Sequence, residues 1–69
     1  MESKYIFVGE RGKLRYLRVF YTLEDAQNFL DSFTDGWEDI TLSDIDEGYL
    51  YLVIEENGEV CSEVLWEKS

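Results

Sequence analysis

The residues of this chain with chemistry to offer are carboxylates. Between Val19 and Glu67 there are fourteen aspartates and glutamates and no lysine, arginine or histidine. Five of the six bases (Lys4, Arg11, Lys13, Arg15 and Arg18) lie in the first eighteen positions, and the sixth is Lys68. Set against Glu2 and Glu10, those five bring the first eighteen residues to +3, while Val19 to Glu67 sums to −14. A net charge of −10 in 69 residues exceeds the magnitude of about 2–8 usual for a small soluble domain. Like charges without internal partners repel and cost folding stability. Such a field points to a use beyond solubility.

Paired carboxylates can hydrolyse a glycosidic bond, but they must flank a cleft, and a domain of this size rarely builds one. The chain has no histidine, so the commonest general base, the Ser-His-Asp and Cys-His arrangements and imidazole metal sites are all out of reach. There is no Walker-type loop, no dinucleotide glycine fingerprint and no cysteine pair. No enzymatic activity and no cofactor are expected. Asp44, Asp46 and Glu55 stand at positions one, three and twelve of an acidic loop, as in a calcium-binding hand. The match then fails: Gly48 is at position five, Tyr49 takes the sharp-turn position, and Tyr49 to Glu55 reads as a strand. These are acidic turn residues, and no metal site is expected.

The basic N-terminal segment invites the opposite question. Arg11, Lys13, Arg15 and Arg18 beside Tyr16 suggest phosphate contact and base stacking. Lys13 and Arg15 share a strand face, however, and Arg18 points the other way. A duplex would also meet the −14 remainder, so these cations are expected to pair with the chain's own acids. Direct nucleic-acid binding is not expected.

The elements that must carry these groups follow from periodicity. Lys4 to Val8 and Lys13 to Tyr21 read as two strands around a four-residue loop, Gly9-Glu10-Arg11-Gly12. Thr22 is a good N-cap, with Asp25 three residues on. Leu23, Ala26, Phe29, Leu30 and Phe33 then recur at helical spacing, and Gly36 is the expected stop. Trp37 to Leu42 reads as a short third strand. Tyr49 to Glu55 and Glu59 to Trp66 form a hairpin about Asn57-Gly58, a preferred type I′ turn. The expected fold is α+β in one compact domain over residues 1–69, ordered ββαβββ: an antiparallel sheet of about five strands with one helix on one face.

One helix covers one face of a sheet. Leu50, Leu52 and Ile54 should face it, while Tyr49, Tyr51 and Val53 point away. Tyr16 and Phe20 alternate with Leu17 and Val19, and either pair suits the uncovered side. An aromatic band is expected there, and an exposed apolar patch of that kind often marks an interface. Cys61 is the lone cysteine and is expected as a buried thiol acting as a small hydrophobe. With no disulfide, no signal-peptide layout and no apolar run long enough to span a bilayer, a cytoplasmic location is expected and no membrane contact.

The acids are ordered along these elements. Glu24, Asn28, Asp31 and Asp35 follow one helix stripe, and Glu38, Asp39, Asp44, Asp46 and Glu47 come directly after it. Glu55, Glu56 and Glu59 bracket the Asn57-Gly58 turn, and Glu63 and Glu67 are expected on one side of the last strand. Same-face strand positions lie about 6.6–6.8 Å apart, and helix neighbours about 5–6 Å. Those spacings are comparable with the separation of phosphates along a nucleic-acid backbone.

The run Phe29-Leu30-Asp31-Ser32-Phe33-Thr34-Asp35-Gly36-Trp37, followed by acids, resembles a helix exit in small phage anti-CRISPR proteins that mimic DNA. It covers nine of the 69 residues. The resemblance implies a basic nucleic-acid-binding partner, a CRISPR effector or another bacterial defence nuclease, whose DNA-facing arginines and lysines meet carboxylates. The expected contact set is Glu24, Asp31, Asp35, Glu38, Asp39, Asp44, Asp46 and Glu47, with Trp37 as an apolar anchor. The alternative is a small interaction or self-assembly module using the aromatic open face of the sheet, with a weak homodimer that repulsion between acidic bodies keeps from tightening.

Overall fold

The computed structural model describes residues 2–31 and 44–68. Four strands and one helix follow in the order β1 (Glu2–Arg11), β2 (Leu14–Phe20), α1 (Leu23–Asp31), β3 (Glu47–Glu56) and β4 (Glu59–Lys68). The fold is α+β. The strands form one antiparallel sheet ordered β2-β1-β3-β4. The described sheet therefore has four strands, not five, and the element order is ββαββ. The expected third strand, Trp37 to Leu42, lies outside the described residues, as do Phe33 and Gly36.

The first hairpin is tighter than its glycines suggested. Gly9, Glu10 and Arg11 pair with Tyr16, Arg15 and Leu14, so the ladder runs on to a two-residue turn at Gly12-Lys13. Gly12 adopts φ 59° at the first turn position, the pattern of a type II′ turn. Gly9 belongs to the strand for a packing reason. A β-carbon there would come within 3.0 Å of the Phe7 ring. The second hairpin turns as expected, with Asn57 at φ 52° and Gly58 at φ 80°, both positive as a type I′ turn requires.

Helix α1 begins where Thr22 caps it. The Asp25 amide donates to Thr22 Oγ1 at 3.1 Å, which satisfies one of the donors a helix start leaves over, and the Ala26 amide donates to the Thr22 carbonyl at 3.3 Å, the first bond of the helix. Ala26 is fully buried, and Phe29 and Leu30 pack against the core. Phe29 meets Phe7 edge-on at 5.0 Å between ring centroids and Phe20 at the same separation.

The core lies between α1 and one face of the sheet: Phe7, Tyr16, Ala26, Ile45 and Leu50, with Tyr5, Phe20 and Trp66 packed against it. This settles the alternation in β2. Tyr16 and Phe20 face the helix, and Leu17 and Val19 take the open side, 61% and 43% exposed. Leu50 likewise faces the core while Tyr49 and Tyr51 stack on the other side, 5.9 Å apart. Ile45 is 2% exposed, a core residue hidden in what reads as an acidic turn.

Cys61 is exposed, contrary to its expected burial. It pairs with Ile54 near the tip of the second hairpin. Glu63 and Glu67 also separate. The β3–β4 register shifts between Leu50 and Tyr51, whose partners are Trp66 and Val64, leaving Leu65 as the extra residue of a bulge. One added residue exchanges the faces of everything beyond it. Glu63 is on the helix side opposite Leu52, and Glu67 is on the open side opposite Tyr49.

Candidate functional site

The acids occupy both sides of the sheet. On the helix side, Glu24 and Asp31 are exposed at the two ends of α1, where nine residues span about 14 Å. Glu59 and Glu63 extend that side along β4. On the open side lie Glu2, Glu10, Glu47, Glu55 and Glu67, placed there by their register with Ile6, Val8, Tyr49 and Tyr51. Of the expected contact set, Glu24, Asp31, Asp44, Asp46 and Glu47 fall on described residues and all are exposed. Asp35, Trp37, Glu38 and Asp39 lie outside them.

These five do not form one surface. Glu47 opens β3 with its side chain on the face away from α1, so it is separated by the sheet from Glu24 and Asp31. Asp46 has a structural task as well. Its amide donates to the Glu10 carbonyl at 2.8 Å, and its Oδ2 accepts from the Gly12 amide at 2.8 Å. It thereby ties the first hairpin turn to the start of β3. Lys68 Nζ donates to the neighbouring Ile45 carbonyl at 2.6 Å, fixing the same segment from β4.

Three pairs of glutamates stand directly opposite one another across the ladders: Glu2 and Glu55, Glu10 and Glu47, and Glu56 and Glu59. Directly opposed like charges destabilise a sheet, where opposite charges contribute roughly 0.2–1 kcal/mol. Arg15 reaches Glu10 with Nε 3.3 Å from Oε1, both groups being largely exposed, and such a surface pair contributes little. Arg15 thus answers Glu10, one member of one pair. Sequence reading grouped Glu56 and Glu59 about their turn, but it could not find the other two pairs, because both depend on the long-range pairing of β1 with β3.

Around Tyr49 the acids converge. Glu47 beside it raises the phenol above its ordinary value of 10.0, with loss of solvent and the charges of Glu67, Tyr51 and Glu10 adding in turn. A groove of about 380 Å³ at the other end of the open side is lined by Glu2, Ser3, Lys4, Tyr21, Val53 and Glu55. Its lysine stands among glutamates, an arrangement suited to binding charged groups. Among the described residues no three His, Cys, Asp or Glu side chains converge as metal ligands would, and no helix is long and apolar enough to cross a membrane. No protein-family model, no curated protein and no solved structure matches this chain.

Proposed function

We propose that this protein is an acidic inhibitor that presents carboxylates in place of phosphates and occupies the nucleic-acid site of a basic protein. The partner implied by the helix-exit resemblance is a bacterial defence nuclease such as a CRISPR effector, met in the cytoplasm of a host cell. The observation that carries this reading is the three opposed glutamate pairs. Each sits where one lysine would relieve repulsion and add a favourable cross-strand pair. Folding alone does not account for all three, whereas a basic partner does. Its arginines and lysines would neutralise the carboxylates on contact, and a long-range field of this sign would raise the rate of encounter.

The test is competition. Immobilised protein is incubated with lysate of bacteria that carry CRISPR systems, and captured proteins are challenged with duplex DNA across a salt series. Capture of nucleic-acid-binding proteins that is reversed by DNA and weakens with salt is the expected result. The Glu24→Lys and Asp31→Lys double reversal should reduce it while circular dichroism stays unchanged. Capture that ignores both DNA and salt would overturn the reading.

A further inference from the structure

Tyr49 and Tyr51 stand in the middle of the open side of the sheet, their rings stacked at 5.9 Å and 24°. Both are half-buried. Val8 and Ile6 lie opposite them on β1, and Glu67 lies opposite Tyr49 on β4. Glu47 is the next same-face residue along β3, and Glu10 is its partner on β1. Tyr49 therefore has a second ring on one side along the strand and carboxylates around the other. Arg15 is held at Glu10, 3.3 Å away. Lys68 pairs with Gly48 and so belongs to the helix side, where its Nζ donates to the Ile45 carbonyl.

An exposed aromatic and apolar panel calls for a cover, and the charges on this one decide its kind. A second copy, laid over it about a two-fold axis parallel to the strands, sets Glu10 on Glu47 and Glu2 on Glu55. An axis across the strands sets Glu10 on Glu2 and Glu47 on Glu55. Acid meets acid either way. A nucleic-acid strand would bring phosphates to the same carboxylates. We propose instead that the open side takes an arginine side chain of a basic protein, its guanidinium stacked on Tyr49 and donating to Glu47 and Glu67.

A guanidinium is planar and weakly hydrated, stacks on aromatic faces and forks onto carboxylates, whereas the ammonium of a lysine is a compact, strongly hydrated charge. Same-face neighbours lie about 6.7 Å away along a strand and about 5 Å away across a ladder, so a group resting on the Tyr49 ring reaches both acids. The raised Tyr49 phenol records the same negative field, with Glu47 as its largest source. Glu24 and Asp31 offer no such platform, because the rings of the helix side, Phe7, Phe20 and Phe29, pack on one another in the core. The whole panel covers roughly 500 Å², below the roughly 800 Å² per partner of a standard interface, and so suits one loop or strand of the partner. The inference rests on the reading of a basic partner, and names the face and the side chain that it would use.

Tetra-arginine and tetra-lysine amides, titrated in about 20 mM NaCl into protein with ring-labelled tyrosine, decide the matter. Tetra-arginine should bind about threefold more tightly than tetra-lysine. It should shift the rings of Tyr49 and Tyr51 and leave that of Tyr16, which is buried on the helix side, in place. Tyr49→Leu keeps apolar bulk without the aromatic face and should erase the preference for arginine while circular dichroism is unchanged. Glu67→Gln, at an exposed site, should weaken tetra-arginine by about threefold and serves equally if the Tyr49 ring proves necessary for folding. Equal affinities for the two peptides, shifts confined to the surroundings of Glu24 and Asp31, or a preference that survives Tyr49→Leu would each overturn the inference. So would oligothymidylate moving the two rings, or a dimer in sedimentation that hides them. The inhibitor reading fails separately, on capture that ignores DNA.

Discussion

Glu10 and Glu47 stand directly opposite each other on the two central strands, on the open side of the sheet. They are not equivalent. Glu10 has Arg15 across the other ladder, 3.3 Å away, whereas Glu47 adjoins Tyr49 and, beyond it, Glu67. Reversing Glu47 therefore exchanges a repulsion for an attraction, while reversing Glu10 sets a new lysine beside Arg15. Glu47→Lys should stabilise the fold by roughly 0.5–1 kcal/mol, a rise of about 4 °C in melting temperature for a domain of this size. Glu10→Lys should give no such gain. Thermal melts of the two variants check this, and equal shifts would show that the pair is too well solvated to matter.

The same excess of acid sets the salt response of the native protein. Screening shortens the range of repulsion among carboxylates more than it weakens an exposed pair such as Arg15–Glu10. The melting temperature should therefore rise between about 50 mM and 500 mM NaCl. A fall over that range would mean that attractive pairs dominate the folded state.

Tyr49 reports the field locally. Its phenol is raised by Glu47 first, then by lost solvent, Glu67, Tyr51 and Glu10. A raised value in the folded state means that the native protein holds the proton more tightly than the unfolded chain. The associated stability is complete below the ordinary tyrosine value near 10 and is lost as pH rises through the folded value. Carbon NMR of ring-labelled tyrosine should show Tyr49 titrating above the ordinary tyrosine value near 10. Glu47→Gln should move it downward, since the largest cause is then removed. An unmoved titration would assign the shift to lost solvent and the remaining charges of Glu67, Tyr51 and Glu10, not to Glu47.

Gly48 and Gly9 face each other across β1 and β3, and together they make room for aromatic rings. A β-carbon at Gly48 would stand 3.2 Å from the Trp66 ring and 3.5 Å from Phe7, and Phe7 is fully buried and cannot yield. Gly48→Val should cost about 1–3 kcal/mol, as over-packing does. Chemical denaturation measures it, and a loss under about 0.5 kcal/mol would show that Trp66 swings aside.

Much of this architecture was legible because it is local. The Thr22 cap, the Asn57-Gly58 turn, and the division of Leu50 from Tyr49 and Tyr51 all follow from neighbouring residues and a period of two. What was not legible depends on distant partners. Gly9 reads as a loop residue until the Phe7 ring beside it is seen. Ile45, flanked by Asp44 and Asp46, reads as a turn, although a lone apolar residue between acids is itself a hint of an anchor. The bulge at Leu65 has no sequence mark, and it alone separates Glu63 from Glu67. The acids were legible as a charge, but their distribution over two faces was not, because only the pairing of β1 with β3 decides it.

Asp46 shows how an exposed acid can belong to the fold. Its Oδ2 accepts from the Gly12 amide, and its own amide donates to the Glu10 carbonyl, each at 2.8 Å. Asp31 is also exposed, in the last described turn of α1, toward the end where the macrodipole disfavours a negative charge. The two should therefore respond oppositely to loss of charge. Asp46→Ala leaves the Gly12 amide to water and should cost about 1 kcal/mol, the usual worth of such a bond. Asp31→Asn removes an unfavourable charge and should stabilise by about 0.3–1 kcal/mol. Hydrogen exchange adds a site-specific reading, since only Asp46→Ala should speed exchange of the Gly12 amide. If that amide exchanges equally fast in the native chain, Asp46 does not hold the turn.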